Sequence, residues 1–116
     1  MNKKQAAFTK LMRLRKKKEF DSLFKESTKI SQNGFLIRHR KNSAYVSRLG
    51  IMVGKKKGNA VERNRIRRIV RESFRNNHTD MNNGYDILVS LNENKRSQSK
   101  KEVADDFIEV FAAFLK

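Results

Sequence analysis

The segment GKKKGNAVERNRIRRIVRESFR, residues 54–75, sets nine Lys or Arg against two Glu, and the order of these charges constrains the fold more than their number. Read as a helix from Ala60 to Arg75, it places Ile66, Ile69, Val70, Ser73 and Phe74 at i, i+3, i+4, i+7 and i+8, one apolar stripe. At about 100° per residue, Asn64, Arg67, Arg68, Arg71 and Arg75 fall on the opposite side, flanked by Arg63 and Arg65. Such a helix must lie on a core with one face and offer guanidinium groups to an anion with the other. A merely solvated face usually mixes signs. The series Arg63–Arg67–Arg71–Arg75 instead repeats like charges at i, i+4, which weakens a helix unless a polyanion offsets it.

The whole chain repeats this bias. Its 28 Lys and Arg stand against 12 Asp and Glu, a formal charge of +16. The excess is uneven: residues 1–85 hold 23 basic and 6 acidic side chains, residues 86–116 hold 5 and 6. A field of this size attracts nucleic acid and speeds association with it. An anionic membrane is the competing polyanion. It ranks lower because the chain has no apolar run near 18 residues, no Trp, and no signal-like apolar segment behind its basic start. The absence of Cys excludes a disulfide framework and a thiolate metal site, and agrees with a cytoplasmic setting. At 116 residues, a single domain spanning 1–116 is expected.

Along the chain, residues 1–18 carry eight basic side chains and no acid, and 1–12 read as a flexible basic arm. A short helix is predicted over Lys17–Lys25, with Phe20, Leu23 and Phe24 on one face. Strands are predicted at Thr28–Ser31, Phe35–Arg40, Tyr45–Val53 and Tyr85–Leu91, and Asn33-Gly34 reads as a tight hairpin turn. In the third strand Leu49, Ile51 and Val53 share a face, while Gly50 leaves the other face locally open to a ligand or another backbone. Asn59 is a good N-cap for the basic helix. Ser99-Lys100-Lys101-Glu102 is a capping box opening a last helix that buries Val103, Phe107, Val110, Phe111, Phe114 and Leu115, with Glu102, Asp105, Asp106 and Glu109 toward solvent. The order is α-β-β-β-α-β-α, a mixed sheet with helices on it.

Catalytic chemistry is missing from this pattern. His39 lies mid-strand among basic residues and His78 in an Asn-rich loop, which supports neither a metal site nor an acid–base pair. Asp105-Asp106 sits on the wet side of a helix. Gly54-Lys55-Lys56-Lys57-Gly58 lacks the Gly-Lys-Ser/Thr ending of a phosphate-binding P-loop, although lysines at a helix N-terminus suit phosphate contacts. The residues alone describe a nucleic-acid-binding domain without visible catalytic machinery.

Residues 48–74, RLGIMVGKKKGNAVERNRIRRIVRESF, resemble the signature of the protein subunit of bacterial ribonuclease P: Arg-hydrophobic-Gly, a strand, Lys-Lys, Gly-Asn-Ala-Val, then Arg-Asn-Arg. The resemblance extends over about residues 13–92, with Leu14, the Phe20/Phe24 pair, Phe35 and the Tyr85-Asp86-Ile87 strand in the expected order. It implies an α+β two-layer sandwich with a mixed four-stranded sheet and a left-handed βαβ crossover carrying the basic helix, where general rules favour a right-handed one. It also implies the partners: the catalytic RNA of ribonuclease P, which uses Mg2+ to hydrolyse precursor tRNA and free the mature 5′ end, and the precursor itself. No protein metal site is implied. Lys55, Lys56, Lys57, Asn59, Arg63, Asn64, Arg65, Arg67, Arg68 and Arg71 would face RNA. Phe20, Phe24, Arg38 and Arg48 would line a cleft for the single-stranded 5′ leader, since aromatic platforms stack unpaired bases while cations follow the backbone.

Three positions depart from the family pattern. Arg38 stands where an aromatic is frequent, Lys57 where a small or apolar residue is usual, and Leu91-Asn92 where Arg-Pro is common. Two other readings stay open: a ribosomal or other structural RNA-binding protein, and a self-sufficient basic nuclease.

Overall fold

The computed structural model describes residues 13, 14, 16–42, 46–54, 58–77, 84–92, 95 and 98–115. The basic arm, Tyr45, Lys55, Lys56, Lys57, His78 and the side chains of Phe114 and Leu115 lie outside the described residues. Seven elements follow in the expected order: α1 (Lys17–Lys25), β1 (Thr28–Gln32), β2 (Phe35–Lys41), β3 (Arg48–Met52), α2 (Ala60–Asn77), β4 (Tyr85–Leu91) and α3 (Lys100–Leu115). The basic helix runs two residues past Arg75, and β3 is shorter than its apolar pattern suggested.

Local chemistry accounts for the boundaries. Asn33 and Gly34 both take positive φ, 55° and 79°, as a two-residue hairpin turn requires, and Gln32 pairs with Phe35 across it. At the start of α2, the Asn59 Oδ1 accepts the Glu62 N–H at 2.9 Å and Glu62 Oε1 accepts the Asn59 N–H at 3.1 Å. The same reciprocal box opens α3, between Ser99 and Glu102.

The sheet order is β1-β2-β4-β3. β2 is antiparallel to β1 and β4, whereas β3 and β4 are parallel neighbours joined through α2. Because strand side chains alternate, this register sorts the sheet into two faces. On one face Phe35, Ile37, Leu49, Ile87, Val89 and Leu91 meet the α2 stripe Ile66, Ile69, Val70 and Phe74 and the α3 residues Val103, Phe107, Val110 and Phe111 in a single core. Its aromatics interlock: Phe107 stacks on Phe111 at 5.6 Å between centroids, and Phe35 and Phe74 meet them edge-on at 5.6 and 5.8 Å. The sheet with α2 and α3 is the expected two-layer sandwich.

The other face carries α1. Leu23, Leu14 and Leu88 form a second, smaller cluster with Phe20 packed against it. The remainder of that face, with Leu36 and Arg38 of β2, Met52 of β3 and Ser90 of β4, is left half-buried or exposed beside the helix. This is the trough in which the candidate site lies.

Candidate nucleic-acid interface

Two surfaces meet at β3. The first is the outer side of α2. Its stripe is buried as the periodicity required, Ser73 included, while Asn64 and Arg68 are exposed and Arg63, Arg65, Arg67 and Arg71 half-buried. Arg67 Nη1 donates to Asn64 Oδ1 at 2.9 Å, a neutral partner. Among the described residues no carboxylate forms an ion pair with Arg63, Arg65, Arg67 or Arg68. Burial first, and then the charges of Arg13, Arg67 and Arg68, lower the pKa of Arg71. The guanidinium groups thus raise one another's electrostatic energy, and an anion would relieve it.

Arg65 is placed differently from its neighbours. Its Nη2 donates to the carbonyls of Lys95 and Gln98 at 3.2 and 3.0 Å, which ties α2 to the loop before α3. Lys95 itself is only 2% exposed. Its ammonium donates to the Asn33 carbonyl, pairs with Asp106 at 3.3 Å and lies 5.1 Å from the Phe35 ring centroid. A loop that reads as polar from its composition therefore hides a cation, and Asp106 turns from solvent toward it.

The second surface is the trough beside α1. Phe24 is 44% exposed, and the Arg38 guanidinium lies over its ring, 4.6 Å from the centroid. Arg38 Nε has no acceptor among the described residues. The pair offers a flat, cationic platform. Phe20 is half-buried and closes against β3: a Cβ at Gly50 would stand 2.6 Å from its Cε1. The open face that Gly50 leaves is thus filled by a ring of the same chain.

Arg48 is held by acids. Its Nε and Nη2 donate to the two oxygens of Asp86, each at 2.8 Å, and Nη1 donates to Glu19 of α1 at 2.5 Å. Asp86 is 3% exposed and also accepts from Asn42 at 2.9 Å, with Arg40 Nη2 3.8 Å away. Burial pushes the Asp86 carboxyl up, but the Arg48 and Asn42 hydrogen bonds and the two arginine charges outweigh it and leave its pKa lowered. The Asp86 hydrogen bond, ahead of all other causes, raises Arg48. Arg40 Nη1 donates to the Ser22 hydroxyl at 2.6 Å, so α1 is fastened to the sheet at Glu19 and at Ser22. A single carboxylate in the otherwise apolar strand Tyr85–Leu91 was the sequence signal for this network, because a buried charge requires partners.

Arg13 is also part of the site. Arg13 bridges to Leu49 in parallel fashion, and the Leu14 N–H donates to the Leu49 carbonyl at 2.9 Å. The chain just before α1 therefore extends the β3 edge and brings Arg13 to Arg67 and Arg71 around one cavity of about 200 Å³.

A family profile described as Ribonuclease P matches residues 8–114. The chain belongs to the ribonuclease P protein family. The ribonuclease P protein component of Thermotoga maritima is 42% identical over 83 residues, which cover 72% of this chain and 71% of that protein. That of Clostridium kluyveri is 36% identical over 93 residues, covering 78% and 83%. Among solved structures, the Staphylococcus aureus RNase P protein superposes with a TM-score of 0.83 at 27% identity, covering 89% of this chain and 94% of that one. The Thermotoga maritima RNase P protein gives 0.75 at 34% identity, covering 84% and 92%. As the protein component of a bacterial ribonuclease P, the chain is one part of a tRNA-processing ribonucleoprotein whose partner is the ribonuclease P RNA. Among the described residues no helix is long and apolar enough to cross a membrane, and no three His, Asp or Glu gather in metal-binding geometry.

Proposed function

We propose that this ribonuclease P protein grips the catalytic RNA with the outer side of α2 and holds the single-stranded 5′ leader of precursor tRNA in the trough between α1 and the sheet. Hydrolysis of the phosphodiester is assigned to the RNA and its Mg2+, in the cytoplasm, and no side chain of this chain is given a bond-breaking role. The observation that carries the reading is the pairing of two unlike surfaces across β3. A helix face on which Arg63, Arg67 and Arg68 form no ion pair among the described residues suits the backbone of a folded RNA. An exposed aromatic under a guanidinium suits unpaired bases.

Roles within the site follow from the contacts. Arg67, Arg68 and Arg63 are given RNA phosphate contacts, with Asn64 orienting Arg67. Asn59 caps the helix and sets its N-terminus, where backbone N–H groups favour anions, and Lys55, Lys56 and Lys57, which precede it in the sequence, are given RNA contacts as well. Arg65 acts mainly as a brace, and Arg48 positions α1 rather than touching the leader. Phe24 and Arg38 form the stacking platform, and Phe20 walls it.

The decisive measurement is the affinity for precursor tRNA with long and short 5′ leaders, made in the presence of the catalytic RNA. Tighter binding of the long leader, lost in Phe24→Ala, is expected. Equal affinity for both would favour a structural RNA-binding role. Cleavage by the purified protein with Mg2+ and no RNA subunit would overturn the assignment of chemistry to the RNA.

A further inference from the structure

Most of α2 is held down by its apolar stripe, but its first part is not. The stripe begins at Ile66, and the residues ahead of it, Ala60 to Arg65, are exposed or half-buried, Val61 at 77% exposure. About 9 Å of helix therefore extends past the core. This overhang carries Arg63 and Asn64 and is capped by Asn59. The bonds from Arg65 to the Lys95 and Gln98 carbonyls moor it to the segment between β4 and α3.

Among the described residues of that segment, only Lys95 is buried. Its ammonium donates to the Asn33 carbonyl in the β1–β2 turn, pairs with Asp106 of α3 and lies over the Phe35 ring of β2. Asn33 Nδ2 donates to the Asp106 carbonyl at 3.1 Å and to Glu109 at 2.8 Å, and Gln98 Nε2 donates to Asp106 Oδ2 at 3.1 Å. The Gln98 N–H donates at 3.1 Å to the Lys95 carbonyl, the same oxygen that Arg65 uses. One chain of contacts thus runs from the hairpin turn and α3, through the Lys95 ammonium and then its carbonyl, to the overhang of α2. Burying a cation costs more than burying an apolar side chain of similar size, so stability alone gives no reason for a lysine here. Its directional donors do give one, because they select a single arrangement of the elements they join.

We propose that Lys95 is a positioning residue for RNA recognition: it pins the segment before α3, gives Arg65 fixed acceptors, and so holds Arg63 and Asn64 at the angle from which they meet RNA. The inference rests on the reading of α2 as an RNA-binding surface and adds what keeps the free end of that surface in place.

Lys95→Met in the full chain tests this, because it keeps a buried stem and removes the ammonium, an exchange that folded proteins often tolerate. Two quantities are read: affinity for ribonuclease P RNA, and amide exchange at Arg63, Asn64 and Arg65 compared with Ile69 and Val70. The variant is expected to bind the RNA about fivefold more weakly, a usual size for a residue that acts without touching the ligand. Exchange should quicken at the first three amides and hold at the last two. Val110→Ala, which opens a cavity in the core under α3, should lower the melting temperature and leave both quantities as in the parent. The double variant Lys95→Met, Arg65→Ala should bind no more weakly than Arg65→Ala alone, since the two residues act in series. Parent-like affinity and exchange in Lys95→Met, or a loss that adds in full to that of Arg65→Ala, overturns the proposal. A matching loss in Val110→Ala also overturns it, by tracing the effect to stability. In each of these cases, strongly salt-dependent RNA binding by the parent leaves the reading of α2 standing, whereas parent binding that ignores salt overturns that reading and the proposal with it.

Discussion

The Phe20 ring occupies the space that a side chain at position 50 would need, with 2.6 Å separating its Cε1 from a Cβ built on Gly50. The glycine is therefore a socket, and the position of α1 over the sheet depends on it. Gly50→Ala should displace Phe20 and lift α1, at about 1–3 kcal/mol for an overpacked contact. Thermal unfolding measures that loss, and leader-dependent affinity should fall with it. An alanine variant with unchanged melting and leader preference would show that the ring tolerates a shift.

Phe24 and Phe20 separate stacking from packing. Phe24→Ala removes an exposed ring, so its melting temperature should stay near that of the parent while leader binding loses about 1–3 kcal/mol. Phe20→Ala should lower both, because its ring is part of the Leu14, Leu23 and Leu88 cluster. Equal stability losses in the two variants would contradict this division.

The arginines of α2 divide in the same way. Arg68→Ala is expected to leave stability within about 0.5 kcal/mol and to reduce the salt slope of RNA binding by about 0.7–0.9, one phosphate contact. Arg65→Ala loses the bonds to the Lys95 and Gln98 carbonyls and should destabilise the fold by about 1–3 kcal/mol. Salt-titrated binding and denaturant unfolding of both variants check the contrast.

Asp86 makes stability depend on pH. Its folded pKa lies below the ordinary aspartate value, so in acid the unfolded chain binds the proton more readily than the native one. The contribution is complete above the unfolded pKa and is lost as pH falls through the folded one. Unfolding free energy measured from pH 5 downward should therefore drop, and Asp86→Asn should flatten that drop. Near neutral pH the variant should lose about 2–3 kcal/mol, less than a fully buried pair, because Arg48 keeps contact with water.

Local signals carried most of the fold. The Asn33-Gly34 pair allows few structures other than a hairpin, and the Ile66, Ile69, Val70, Ser73, Phe74 stripe has its apolar side where the core is. Both are patterns within a few residues of one another. What sequence reading missed depends on pairing across long separations. Nothing near Arg48 indicates that β3 will run parallel to β4 and set it against Asp86, 38 residues on. Nothing near Lys95 announces Asn33 and Asp106 as its neighbours. Arg13 stands out in no local pattern, because its place comes from a single bridge to Leu49. In the candidate site, residue types pointed to nucleic acid and the family resemblance to RNA, but the division of labour among arginines required knowing which of them the fold already uses.

The two apolar clusters on opposite sides of the sheet differ greatly in size: among the described residues, fifteen are buried on one side against three leucines on the other. Hydrophobic grip scales with buried area, so α1 holds the sheet less by apolar burial than α2 and α3 do, and leans on the Arg48–Glu19 and Arg40–Ser22 contacts for the rest. On the proposed reading of the trough, a wall seated in this way would suit strands of differing bulk and composition, its reach set by how readily one short helix yields rather than by the shape of a fixed mould.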